Sequence, residues 1–154
     1  MACDEKSGTL ARYASYRRAG DLVFLSGIIA VDPGIGRIVH DLSDIPEETA
    51  IAIGKTGEFS VDAKQGRILA QSWYVLDRIR AINESLGGKS DNVIKLVQYF
   101  RNLDQFPYYS KVRNMFYPNA VPASTVVEVS ALLPSDEIVI EVEATLWLPE
   151  IVTY

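Results

Sequence analysis

Val121-Pro-Ala-Ser-Thr-Val-Val-Glu-Val-Ser130 and, a few residues on, Ile138-Val-Ile-Glu-Val-Glu-Ala144 decide how this chain reads. β-Branched residues dominate both segments. In the second, Glu137, Glu141 and Glu143 punctuate an apolar run with a period near two, which is the pattern of a strand. Pro134-Ser-Asp136 between them has turn composition, so the two segments are expected to pair as a hairpin, with Pro122 ending what precedes and Pro149 closing the second strand. A carboxylate inside an apolar strand is costly unless it faces solvent or a polar pocket. Glu141 is therefore the first candidate for chemistry, and a solvated sheet face is the alternative reading.

Working outward, Val93 to Phe100 reads as a further strand, Asn102-Leu-Asp104 as a turn, and Pro107 sits where proline is allowed, in the first turn of a helix running to about Tyr117. A longer helix precedes them. Leu69, Trp73, Leu76, Ile79, Asn83 and Leu86 recur at steps of three or four, with Ser60 or Asp62 able to cap the start and Gly87-Gly88 providing the stop. Leu22 to Val31 is a strand carrying Gly27 in its interior, which suggests a bulge or a close approach by a ligand or another backbone. Arg17 to Asp21 and Asp32 to Gly36 read as turns, and 37–59 as a hairpin or irregular excursion. Two amphipathic helices with several strands suggest an α+β sandwich with both helices on one face of a mixed sheet. The strands carry apolar residues on both sides, so the other face is expected to be covered by another copy of the chain.

At 154 residues, 48% of them hydrophobic, the chain is read as one domain over 1–154, with an enlarged loop at about 41–59. A net charge of -5 argues against a nucleic-acid or anionic-membrane partner, because phosphate neutralisation needs clustered Lys and Arg. Cys3 is the single cysteine, which fits a reducing, cytoplasmic location, and Met1 to Ser7 lack the charged-then-apolar order of a signal peptide. Gly54-Lys-Thr56 invites comparison with a phosphate-binding loop, but that motif needs a glycine at position 49, which is Thr. His40 is the lone histidine, so a metal site is not expected.

Several short segments together resemble the Rid family of reactive-intermediate deaminases, also called YjgF and often labelled endoribonuclease L-PSP. They are Tyr13 followed by Arg18-Ala-Gly-Asp-Leu-Val-Phe-Leu-Ser-Gly27, then Asp104-Gln-Phe106, Pro122-Ala123 with Val127-Glu-Val129, and Ile140-Glu-Val-Glu-Ala144. The resemblance implies a chorismate-mutase-like α+β fold and a homotrimer with pockets at the subunit interfaces. It also implies hydrolysis of enamines or imines such as 2-aminoacrylate, with no metal or organic cofactor. Carried over residue by residue, it makes Glu141 the water-positioning carboxylate and Tyr13, Ser26 and Gly27 pocket residues. The asparagine many members carry early in the second helix aligns with Ser110.

One departure stands out. The deaminating members place an arginine directly after Pro-Ala to hold the substrate carboxylate, and here that position is Ser124. A guanidinium grips a carboxylate through two charge-assisted hydrogen bonds of roughly 1.5–3 kcal/mol each, against about 0.5–1.5 for a neutral hydroxyl. Three functions follow from this comparison. The first is an imine or enamine hydrolase with Ser124, Tyr13 and Thr125 contacting an atypical substrate, or with Lys111 or Arg113 replacing the arginine. The second is a non-catalytic small-molecule-binding trimer. The third is an endoribonuclease, which the acidic composition disfavours.

Overall fold

The computed structural model describes residues 11–150; Cys3 and the amino-terminal segment read above lie outside the described residues. β1 (Tyr16–Ala19) and β2 (Leu22–Leu25) form a hairpin, so the turn expected over 17–21 contracts to Gly20-Asp21. Gly20 has φ 61°, the left-handed geometry that such a two-residue turn favours. The apolar run from Leu22 breaks at Ser26-Gly27 and resumes as β3 (Ile28–Ile29). β4 (Val31–Asp32) and β5 (Arg37–Ile38) then pair as a small ribbon around the expected turn.

Segment 41–59 corrects the sequence reading, for it holds a 3₁₀ turn and a helix, α1 (Glu47–Ile53). Pro46 followed by two glutamates suits the positive first turn of a helix, and Gly54, at φ 133°, ends it. The described residues thus contain three α-helices where two were expected. α2 (Phe59–Ser85) follows the predicted stripe, with Ile68, Leu69, Leu76 and Ile79 buried, and Gly87 at φ 87° stops it. Neither Ser60 nor Asp62 is the cap. The helix starts after Glu58, and Asp62 reaches back to the amides of Thr56 (2.9 Å) and Gly57 (3.0 Å). Those hydrogen bonds, Thr56 first, hold its carboxyl below the usual carboxylate range.

β6 (Val93–Phe100), α3 (Phe106–Phe116), β7 (Ala123–Glu128) and β8 (Ile140–Trp147) complete the chain. The hairpin expected of the last two strands is overturned. β7 lies parallel to β6 and β8 lies antiparallel to it on the other side, in the sheet order β1-β2-β8-β6-β7, with β3 also on β8. Parallel neighbours need a crossover, and α3 supplies it. The connection 129–139 then bridges the end of β6, where the amide of Val129 donates to the Phe100 carbonyl (2.8 Å) and that of Arg101 to the Val139 carbonyl (3.2 Å).

The result is a mixed α+β fold whose core lies between α2, α3 and one face of the sheet. Leu96, Phe100, Ile140, Val142 and Leu146 point into it. The other face carries Leu22, Phe24, Val97, Tyr99, Val127, Glu141, Glu143 and Trp147, since residues paired across strands share a face. Phe24 and Trp147 are 47% and 48% exposed there.

Candidate active site

Glu141 lies on the open face of the central strand β8, opposite Ile29 of β3 and Tyr99 of β6. The break between β2 and β3 is shaped to it. A Cβ on Gly27 would collide with Glu141 Oε1 and stand 3.0 Å from its Cδ, so only glycine lets the carboxylate settle against the backbone. The close approach expected at Gly27 therefore comes from a side chain. Ser26 holds the same break in place, its amide donating to the Ser15 carbonyl (3.0 Å) and its hydroxyl to the Ala14 carbonyl (2.6 Å). Tyr13, Ser26 and Gly27 line a pocket of about 100 Å³ together with Tyr74 and Arg78 of α2.

Burial raises the Glu141 pKa above the ordinary glutamate range, and the charge of Glu143 raises it further. Glu143 is itself held by Tyr99, whose hydroxyl donates to Glu143 Oε1 at 2.6 Å. That bond, with some burial, pushes the phenol up to about 12. The strand therefore presents two carboxylates in different surroundings: Glu143, hydrogen-bonded by Tyr99, and beside it Glu141, whose pKa is raised by burial and by the neighbouring charge. Thr125 shares this face, and its hydroxyl accepts from Lys95 Nζ at 2.7 Å.

Ser124 lies on the opposite face. It pairs with the buried Leu96 at the edge strand β7, looking toward α3. There Arg113 meets it, Nη1 donating to Ser124 Oγ (3.0 Å) and to Gln98 Oε1 (2.9 Å). The guanidinium carbon lies 5.6 Å from the Phe106 ring centre and 5.5 Å from that of Tyr109. Gln98, fully buried, also accepts from the Tyr109 hydroxyl (2.7 Å) and donates to Ser124 Oγ (3.0 Å) and the Thr125 carbonyl (2.9 Å). Burial keeps the Tyr109 hydroxyl protonated and a steady donor. Among the described residues no carboxylate pairs with Arg113, and its buried Nε has no partner. Lys111, the other basic residue considered, turns toward α1, where its Nζ lies beside Gly54. Ser110 stands one turn before Arg113 on α3.

Within one chain the two groups stay apart. Ser124 is level with Leu96 and, through it, with Ala144, two strands over from β7 and three residues along β8 from Glu141. Strand spacing of about 4.8 Å and a rise of about 3.4 Å per residue put the two Cα atoms roughly 14 Å apart, on opposite faces. Gln98, Tyr109 and Tyr99 were not singled out from the sequence, and Glu143 was read there only as part of the strand pattern. Gln98 had a readable signal, an amide on the buried phase of an otherwise apolar strand. His40, read as a loop residue, bonds Glu137 Oε1 through Nε2 (3.1 Å) and Arg37 through Nδ1 (3.2 Å).

Residues 49–146 match the family model described as Endoribonuclease L-PSP. A RutC family protein of Pyrococcus horikoshii is 30% identical over 86% of this chain and 83% of its own. A 2-iminobutanoate/2-iminopropanoate deaminase of Salmonella typhimurium is 27% identical over 94% and 93%. Among solved structures, a Klebsiella pneumoniae protein provisionally described as an endoribonuclease superposes with a TM-score of 0.87 at 63% identity, covering 89% of this chain and 100% of its own.

Proposed function

The chain belongs to the Rid/YjgF family, the group described as endoribonuclease L-PSP, and from that membership we propose that it hydrolyses an imine or enamine of a small carboxylic acid. The reacting pocket lies between copies in a homotrimer, where Glu141 of one copy faces Arg113 and Ser124 of the next. Two observations support an assembled site: the separation of these groups within one chain, and the open sheet face bearing Phe24 and Trp147.

The observation that carries the reading is Arg113. Its guanidinium arrives from α3 at the hydroxyl of Ser124, where deaminating relatives carry an arginine on the strand itself. A cation with no acidic partner among the described residues, held by an amide, a hydroxyl and two rings, is prepared to receive a carboxylate. An enamine such as 2-aminoacrylate first shifts a proton to become the imine. Water then adds to the C=N carbon as Glu141 takes its proton and passes it to the nitrogen. The resulting carbinolamine loses ammonia and leaves the keto acid. A carboxyl with a raised pKa suits both directions of that proton transfer.

Ammonia release from freshly generated 2-aminoacrylate tests this. The purified chain is expected to release it, Glu141→Ala to abolish it, Arg113→Ala to raise KM, and Ser124→Arg in the Arg113→Ala background to restore binding. Full activity in Glu141→Ala would overturn the mechanism, and an inactive parent would leave the pocket as a binding site.

A further inference from the structure

We propose that Tyr99 and Glu143 act together as positioning residues for the reaction proposed above: the phenol fixes the Glu143 carboxylate beside Glu141, and leaves Glu141 as the group on this face that carries the proton. This role rests on the hydrolase reading of Glu141 and extends it to two side chains that touch no substrate.

Glu141 and Glu143 project from the same face of β8 two residues apart, which at a rise of about 3.4 Å per residue separates them by roughly 7 Å along the strand. In the register of β6 against β8, Tyr99 stands directly opposite Glu141, and Val97 opposite Glu143. The phenol nevertheless passes its nearest neighbour and donates diagonally to Glu143 Oε1 at 2.6 Å, a reach that aromatic side chains have across antiparallel strands. The cations of this face are turned away as well. Lys95 of β6 donates to the Thr125 hydroxyl on β7 (2.7 Å), and Arg17 of β1 is set apart from β8 by Phe24 of β2. Among the described residues neither carboxylate has an ion-pair partner. Ile29 of β3 and Val97 of β6 complete the surroundings, and such apolar neighbours screen one charge from another poorly.

The diagonal bond decides which carboxylate does the work. A phenol donor favours an ionised acceptor, and the same bond keeps the proton on Tyr99, whose hydroxyl is pushed up to about 12. Glu141, half-buried, feels burial first and the Glu143 charge second, and both favour its protonated form. With the phenol on Glu141 instead, the proton carrier would be the carboxylate stabilised as an anion, and so the weaker base.

Glutamate labelled with ¹³C at the side-chain carboxyl and incorporated into the full chain gives an NMR titration of each carboxyl, and the signal lost in Glu141→Gln identifies Glu141. Its midpoint is expected to move to lower pH in Glu143→Gln, an isosteric change, and in the same direction in Tyr99→Phe, which removes the anchor of Glu143. The acid limb of kcat/KM for ammonia release should move with it, whereas a purely structural loss would lower the rate at every pH alike. A midpoint unmoved or raised in Glu143→Gln, or in Tyr99→Phe should only that variant fold, would overturn the proposal even in a chain that releases ammonia. A lowered midpoint in a chain that releases none would uphold the coupling of the three groups and overturn the hydrolase reading alone.

Discussion

Glu141 and Arg113 are both charged side chains with no counter-ion among the described residues, and the fold treats them in opposite ways. Around Glu141 there is little help: a glycine backbone, partial burial and a second carboxylate two residues along the strand. A carboxyl can answer such surroundings by taking a proton, and its pKa rises accordingly. A guanidinium has no such option, because it stays charged at any accessible pH. Arg113 is therefore wrapped in neutral acceptors and aromatic faces, with Gln98 fixed in turn by Tyr109. One region keeps a group that can change charge, and the other a charge that cannot be lost. Water activation needs the first and anion binding the second.

The largest test of this division mixes subunits. In the proposed homotrimer, the Glu141→Ala and Arg113→Ala variants should each be impaired, the former by about 10²–10⁴-fold in ammonia release. Refolded together, they should regain roughly a quarter of the parental pockets by random assortment. Mixtures no more active than their parts would place both groups in one chain's site. Next, Arg113→Ala should raise KM for a carboxylate substrate by about 10- to 150-fold, the worth of one charge-assisted hydrogen bond. Arg113→Lys should recover only part of this, since an ammonium cannot reproduce the planar fork. An amide analogue of the substrate should be nearly indifferent to either change.

Gly27→Ala should lower stability by about 1–3 kcal/mol through overpacking against the carboxylate. Thermal melts of the double variant Gly27→Ala/Glu141→Ala should show the penalty largely gone, because the colliding group has been removed. The smallest effect concerns pH. Folded Glu141 holds its proton to a higher pH than in the unfolded chain, so its contribution to stability drains away as pH rises through that window. Glu141→Gln, which cannot ionise, should therefore have a higher Tm than the parent at pH 7. The gap should close below about pH 4, the ordinary carboxylate range.

The sequence made much of this legible, though unevenly. α2, β6 and α3 could be read because periodicity, Pro107 and Gly87 are local signals that packing did not override. Glu141 and Gly27 were legible as exceptions to a strand pattern, and the structure explains each by the other. The supposed β7–β8 hairpin was misread because strand order is a non-local property: nothing within 121–144 says that β6 lies between the two. α1 was overlooked although Pro46-Glu-Glu announces it, since a helix this short shows little periodicity. The Arg113 network depends on the facing of α3 against the edge strand. Proximity to Ser110 in sequence could raise Arg113 as a substitute, but only packing delivers its guanidinium to Ser124.

The position of β8 also bears on how the molecule is made. It touches β2, β3 and β6, yet among the described strands it leaves the ribosome last. Synthesis at about 5–20 residues per second leaves the β1–β2 hairpin and the β6–α3–β7 unit waiting for seconds without their shared neighbour. Their apolar edges stay open throughout that interval. A nascent chain stalled before Ile140 lacks the strand that joins β2, β3 and β6, and should be a substrate for chaperones.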